Sequence, residues 1–358
     1  MHPKATANTA SAVQALLAWW RALSIVVLSL ALALFPPAAA AKKAEMRGIG
    51  QYTIPPWFKT SFLDLKDDAA EAGATDKRLL VYFGQDGCPY CAALFNTNFS
   101  QPAIADYARR HFDALDINMW GDRAVTDFSG ETLSEKEFAA KHKVWFTPTI
   151  LFFDGNGNQV LRLNGYYPPR QFLAALQYVA EKREGTETFA AYLARVAPRA
   201  AAATPLHRQP FFESPPHDLQ SAKGKPAVVF FEQRDCLGCD ELHQTILNHP
   251  QTRAQLKRLR AIQLDRWSET PVVTPTGEQL TARAWADRLN VAYVPTAVFF
   301  DQGKEVMRIE AMLKRFHVQS VMDYVASGAY RREPSFQRFI QQRADRLREQ
   351  GVVVDLWQ

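Results

Sequence analysis

The second half of this 358-residue chain repeats the first, and that repeat limits what the chain can fold into. The segment RLLVYFGQDGCPYC (78–91) matches PAVVFFEQRDCLGC (226–239), and Cys88 falls on Cys236 at 236 − 88 = 148. At the same offset Ser100-Gln101-Pro102 matches Asn248-His249-Pro250. At an offset of 147, Trp120 matches Trp267, Gly130-Glu131 matches Gly277-Glu278, and WFTPTILFFD (145–154) matches AYVPTAVFFD (292–301). Phe189 falls on Phe336, and Pro56-Trp57-Phe58 is echoed by Pro210-Phe211-Phe212. Self-similarity of this extent marks a duplicated domain, and 358 residues suffice for two sizeable cores.

Each copy yields the same series of elements. An apolar run (Leu79 to Phe83, or Ala227 to Phe231) reads as a buried strand. The Cys-x-x-Cys behind it opens a helix. Ser100 or Asn248 caps the next helix, with Pro102 or Pro250 tolerated in its first turn. Phe112 to Ile117, or Leu259 to Leu264, gives a second strand, followed by a polar stretch carrying Trp120 or Trp267. A helix comes next, with Ser134-x-x-Glu137 as a capping box in the first copy. Two strands then flank the turns DGNGN and DQGKE, and amphipathic helices at Pro169–Glu184 and His317–Ala326 close the copies. This order specifies an α/β fold, two tandem domains each with a mixed central sheet flanked by helices. The Ala- and Pro-rich segment 197–216 reads as a semi-stiff linker. The expected division is therefore 42–204, with an N-terminal lead-in, and 205–358, with a C-terminal helix whose charges are solvated.

The first 41 residues read differently. Lys4 and Arg21 precede the apolar run Ala22–Phe35, and the small-residue stretch around Ala38–Ala41 follows. Basic, apolar, small is the order of a secretory signal peptide, and 14 apolar residues fall short of the about 20 that span a bilayer. Cleavage near Ala41 leaves a charge of 5 − 2 = +3 over 358 − 41 = 317 residues. The alternative is an uncleaved inner-membrane anchor facing the periplasm, because Leu16 to Trp20 add apolar length upstream of Arg21. No long basic run or basic–aromatic stripe follows, so nucleic-acid binding is not expected.

The four cysteines, 88, 91, 236 and 239, form two Cys-x-x-Cys pairs. A helix N-terminus places Cys88 near unpaired N–H groups and the positive dipole end, which favours the nucleophilic thiolate. Cys91 follows about one helical turn later, near enough to close a disulfide. Cys88 attacks a partner disulfide and Cys91 resolves the mixed disulfide, and the same roles fall to Cys236 and Cys239. A structural disulfide is the poorer reading, since a loop over two intervening residues constrains little of the unfolded chain. Zinc ribbons space their pairs by about 15–20 residues, whereas Cys91 and Cys236 are 236 − 91 = 145 apart, so no metal is expected.

Strand, Cys-x-x-Cys at a helix start, then Thr147-Pro148-Thr149 or Val294-Pro295-Thr296 at matching distance: this resembles the thioredoxin superfamily across nearly all of residues 57–358. The tract QDGCPYC, the x-Pro helix start after it and the Trp-bearing segment resemble most closely the secreted SoxW-like thioredoxin-related proteins of bacterial sulfur-oxidation systems. The resemblance implies cis bonds before Pro148 and Pro295, and a substrate segment held along Thr147, Pro148, Val294 and Pro295, with Tyr90 flanking the active sulfur. It implies no cofactor. It also implies electron supply from a membrane thiol transporter of the DsbD or CcdA kind. The chain departs from thioredoxin where the family's buried acid, six residues before the first cysteine, becomes Tyr82 or Phe230, with Glu232 only a weak substitute.

The expected function is therefore a periplasmic thiol–disulfide oxidoreductase exchanging disulfides with disulfide-bearing or dithiol proteins. The alternative is a non-catalytic thiol-dependent binding, chaperone or metal-delivery module on the same fold. Trp120 and Trp267 read as packing residues, and His111, His142, His243 and His249 as surface or helix-end residues.

Overall fold

The computed structural model describes residues 43–196, 205–220, 224–234 and 236–358, together with Trp19. The expected signal peptide apart from Trp19, and the whole stretch 197–204 ahead of the expected boundary at 205, lie outside them.

In chain order the first unit comprises β1 (Met46–Arg47), α1 (Leu65–Ala74), β2 (Arg78–Gly84), α2 (Pro89–Ala93), α3 (Pro102–His111), β3 (Phe112–Asn118), β4 (Ala124–Thr126), β5 (Thr132–Ser134), α4 (Glu135–Lys141), β6 (Thr149–Phe153), β7 (Gln159–Asn164), α5 (Pro169–Ala180) and α6 (Phe189–Val196). The second comprises β8 (His217–Asp218), β9 (Ala227–Glu232), α7 (Leu237–Glu241), α8 (Pro250–Leu256), β10 (Arg260–Asp265), β11 (Pro271–Val273), β12 (Gln279–Thr281), α9 (Ala282–Arg288), β13 (Thr296–Asp301), β14 (Lys304–Ile309), α10 (Arg315–Ala326), α11 (Phe336–Glu349) and β15 (Val354–Asp355). Each unit holds a four-stranded mixed sheet, in order β3-β2-β6-β7 and β10-β9-β13-β14. The first two strands of each sheet are parallel and the rest antiparallel. All residues of the central strands β2 and β9 are buried, so the sheets are covered on both faces, which is why those runs are continuously apolar.

Several local details differ from the sequence reading. Gln101 and His249, not Ser100 and Asn248, are the caps of α3 and α8. The Ser100 hydroxyl donates backwards to the carbonyls of Asn96 and Thr97. The polar stretch after β3 folds into the small hairpin β4–β5, and β11–β12 does so in the second unit. Glu137 does close the start of α4, accepting from the Ser134 N–H at 2.8 Å. Helix α11 is not simply solvated, because Phe336, Phe339, Ile340 and Arg343 are buried, the last ion-paired with Asp323.

The two units pack against each other about a local two-fold. Tyr166 bridges Met312, and Asn164 donates to Glu310; each pair is separated by 312 − 166 = 310 − 164 = 146, so residues meet their own repeat counterparts. Tilted aromatic pairs join the units here, Phe146 with Phe336 at 5.2 Å and Tyr167 with Tyr293 at 5.0 Å between ring centroids. One apolar cluster runs through both units. The lead-in and the C-terminal segment are joined, with Met46 paired to Val354 and Arg47 to Asp355 in parallel.

Candidate active sites

Each cysteine pair sits at the carboxyl end of its central strand. After β2 the loop turns through Gly87 at φ +74°, a left-handed conformation that favours glycine. Cys88 then takes an extended backbone (φ −70°, ψ 113°) as N-cap of α2, with Pro89 in the first turn where its missing N–H costs nothing. Its Sγ accepts from the Cys91 N–H at 3.0 Å. Cys236 repeats this as N-cap of α7, accepting from the Cys239 N–H at 3.1 Å. Both pairs are disulfide-bonded, with Cα atoms 5.3 and 5.1 Å apart. Cys91 and Cys239 are the more deeply buried partners. Each helix continues into a π-type turn, Leu94–Asn98 or Leu242–Leu247.

The Thr147–Pro148 and Val294–Pro295 bonds are both cis and lie beside the first cysteine of their units. Cys88 Sγ is 3.4 Å from the Thr147 carbonyl oxygen, and Cys236 Sγ is 3.9 Å from that of Val294. Here the sites diverge. The Thr147 hydroxyl lies 3.3 Å from Cys88 Sγ and accepts from the Gln85 amide at 3.0 Å, so its own proton is free to point at the sulfur. Val294 has no such donor.

The sites differ equally in the residues behind them. Tyr82 donates to the Tyr52 hydroxyl, which donates to the Gln85 carbonyl, and burial pushes both phenols up. In the second unit the place of Gly84 is taken by Glu232, fully buried, and that of Phe95 by His243. Their side chains meet at 2.9 and 3.0 Å, and Gln263 donates to the same carboxylate at 3.0 Å. The His207 ring stacks on His243 at 4.7 Å and pairs with Asp240 at 2.6 Å, where the first unit stacks Tyr52 on Phe95 at 5.1 Å. His243 is therefore a core residue, not a surface one. It lies one helical turn beyond Cys239, with Glu232 as its partner.

Tyr90, between the two cysteines of the first motif, faces the other unit. Its hydroxyl accepts from the Lys314 N–H at 2.9 Å and stands 3.0 Å from His317 Nδ1. Burial pushes the His317 pKa down to about 3, helped by Arg343, which keeps the imidazole neutral and able to accept the phenolic proton. Trp120 and Trp267 are not core. Their indole N–H groups donate to Gln85 and Gln233, and they line clefts beside Cys88 and Cys236. The cleft at Cys88 measures 610 Å³ and is walled by α11 of the second unit; that at Cys236 measures 520 Å³ and is walled by α6 of the first.

A thioredoxin-like domain family matches residues 65–180 and again 218–326, together more than half of the chain. The chain belongs to the thioredoxin-like family. Solved structures similar to it cover one thioredoxin-like unit at a time. A thioredoxin-fold protein from Helicobacter pylori is 26% identical over 38% of this chain and 92% of its own, with a TM-score of 0.29. A putative disulphide-isomerase from Bacteroides thetaiotaomicron is 26% identical over 37% and 95%, with a TM-score of 0.27. The DsbD C-terminal domain of Neisseria meningitidis, oxidised, is 17% identical over 34% and 93%, with a TM-score of 0.24. A search of curated proteins returns no match. Among the described residues of the two thioredoxin-like units, no helix is long and apolar enough to cross a membrane.

Proposed function

We propose that this protein is an exported thiol–disulfide oxidoreductase acting on protein partners through both Cys-x-x-Cys sites. The observation that carries this reading is the matched geometry of the pairs. In each unit the first sulfur caps a helix and faces the backbone before a cis-proline, with the second sulfur buried beneath it. In the reduced protein the N–H groups that the capping sulfur already meets stabilise its thiolate.

The Cys88 thiolate attacks one sulfur of a partner disulfide, forming a mixed disulfide and releasing one partner thiolate. Cys91, losing its proton, attacks Cys88 Sγ, closes the intramolecular disulfide and releases the second partner thiol, so two electrons pass to the partner. Cys236 and Cys239 perform the same steps. Thr147, Pro148, Val294 and Pro295 border the sulfurs where the partner chain runs. The apolar run and small residues before residue 42 support export to the periplasm, and the tract QDGCPYC supports a SoxW-like role with a DsbD- or CcdA-type electron donor.

The test is insulin reduction by the pre-reduced protein, with Cys88→Ser and Cys236→Ser variants. Turnover lost only when both are replaced supports two working sites. Failure of both pairs to pass electrons to any disulfide, with binding intact, supports the binding-module reading instead. Reduction potentials measured site by site, within the family span of roughly −270 to −120 mV, set the direction of exchange.

A further inference from the structure

The two sides of the interface are filled unequally. In the first unit the dipeptide between the cysteines ends in Tyr90, whose ring enters the interface and ends on Lys314 and His317. In the second, the same position is Gly238. The interface residues equivalent to Lys314 and His317, at the 146-residue offset set by Tyr166 and Met312, are Pro168 and Gln171 (314 − 146 and 317 − 146). Both line the 520 Å³ cleft, together with Cys236 and Gly238 themselves. A smaller apolar recess of about 40 Å³ under Gly238, bordered by Pro295, Leu242 and Val318, adjoins it through Tyr293 and Met312. Two residues bordering this recess are smaller than their first-unit counterparts, Ala297 for Ile150 and Val318 for Phe172. The space that a tyrosine of the chain's own motif fills in one unit is thus left open beside the active sulfur of the other.

We propose that this cleft, continuous with the interface between the units, is a substrate-selecting pocket of the second site, and that its occupant is an aromatic side chain of the partner polypeptide, next to the cysteine that exchanges with Cys236. Tyr90 supplies the template for the ring's position. Leu237, 86% exposed where its counterpart Pro89 is buried, offers apolar surface at the mouth. Gln171 stands where His317 does, with hydrogen-bonding capacity toward a phenol. This inference rests on the exchange activity proposed above and names the substrate class of its second site.

The experiment uses the full chain with Cys88→Ser and Cys91→Ser, so that only Cys236 and Cys239 react. Substrates are symmetric disulfide dimers of five-residue peptides carrying Phe, Tyr or Ala immediately before or after the cysteine, with 2-hydroxyethyl disulfide as a side-chain-free reference. Burial of a ring raises kcat/KM for the Phe or Tyr peptide over the Ala peptide by about tenfold or more on one side of the cysteine. Gly238→Tyr, which places the chain's own ring in the cleft, brings the Phe-to-Ala ratio to about one. Ala194→Trp narrows the cleft from α6 without touching the motif and must lower the same ratio. A ratio within twofold of one in the parent on both sides of the cysteine, or a preference that survives both substitutions, overturns the pocket. Absence of exchange even with 2-hydroxyethyl disulfide overturns the oxidoreductase reading itself.

Discussion

The Tyr90 hydroxyl stands 3.0 Å from Nδ1 of His317, so the dipeptide between one pair of cysteines is hydrogen-bonded to the opposite unit. The chemistry of the first site and the packing between the units are thereby coupled. That coupling has a pH signature.

His317 is held neutral, its pKa lowered from an ordinary value of about 6.5 to about 3. Below pH 6.5 the unfolded chain takes up a proton that the folded chain refuses, so stability falls as pH drops from about 6.5 toward 3, by at most about 1.4 kcal/mol per pH unit. Urea unfolding between pH 7 and 5, above most carboxylate titration, should show this fall in the parent. His317→Gln should lessen it, the part that remains coming from His142 and His217, which burial also holds below the ordinary value; an unchanged slope in the variant would remove His317 as a source.

The Thr147 hydroxyl gives the first site a donor that Val294 denies the second. Thr147→Val should raise the Cys88 thiol pKa by about one unit, the value of one hydrogen bond to a charged sulfur. It should also lower the site's potential by about 30 mV. Thiolate absorbance followed against pH, with Cys236 and Cys239 replaced by serine, reads the shift; Val294→Thr should produce the opposite shift at Cys236.

Glu232 and His243 Nε2 pair with each other where both side chains are buried. Glu232→Ala leaves the imidazole without its carboxylate and should cost about 2 kcal/mol or more. Adding His243→Phe, the residue that the first unit uses at Phe95, should recover part of that loss. Denaturant midpoints of the two singles and the double form the cycle, and simple additivity would show that the two side chains are uncoupled.

Gly50 lies so close to the first motif that a Cβ there would approach the Cys88 carbonyl oxygen to 2.2 Å. Gly50→Ala should cost about 1–3 kcal/mol through displaced backbone. It should alter alkylation rates of reduced Cys88 while leaving those of Cys236, in the other unit, unchanged.

The repeat, the strands of the two central sheets and the cysteine motifs are legible because each is local: a continuous apolar run, a motif and a proline at fixed spacing. Helix α1 was missed because its turns mix Asp67, Asp68 and Glu71 with alanines and present little apolar contrast. The His243–Glu232 pair escaped because its members sit 243 − 232 = 11 residues apart on a helix and a strand, a spacing that signals nothing until the fold brings them together. The interface was hidden for a different reason. Its central residues, Tyr166 and Met312, are counterparts in the repeat, and similarity between two segments does not reveal that they touch.

The pairing of Met46 and Arg47 with Val354 and Asp355 fastens the lead-in of one unit to the tail of the other, over an apolar core that belongs to both. A protease cutting between the units would accordingly yield two fragments that co-purify and melt together. Either fragment made alone would be an aggregation-prone half, rescued by adding its complement.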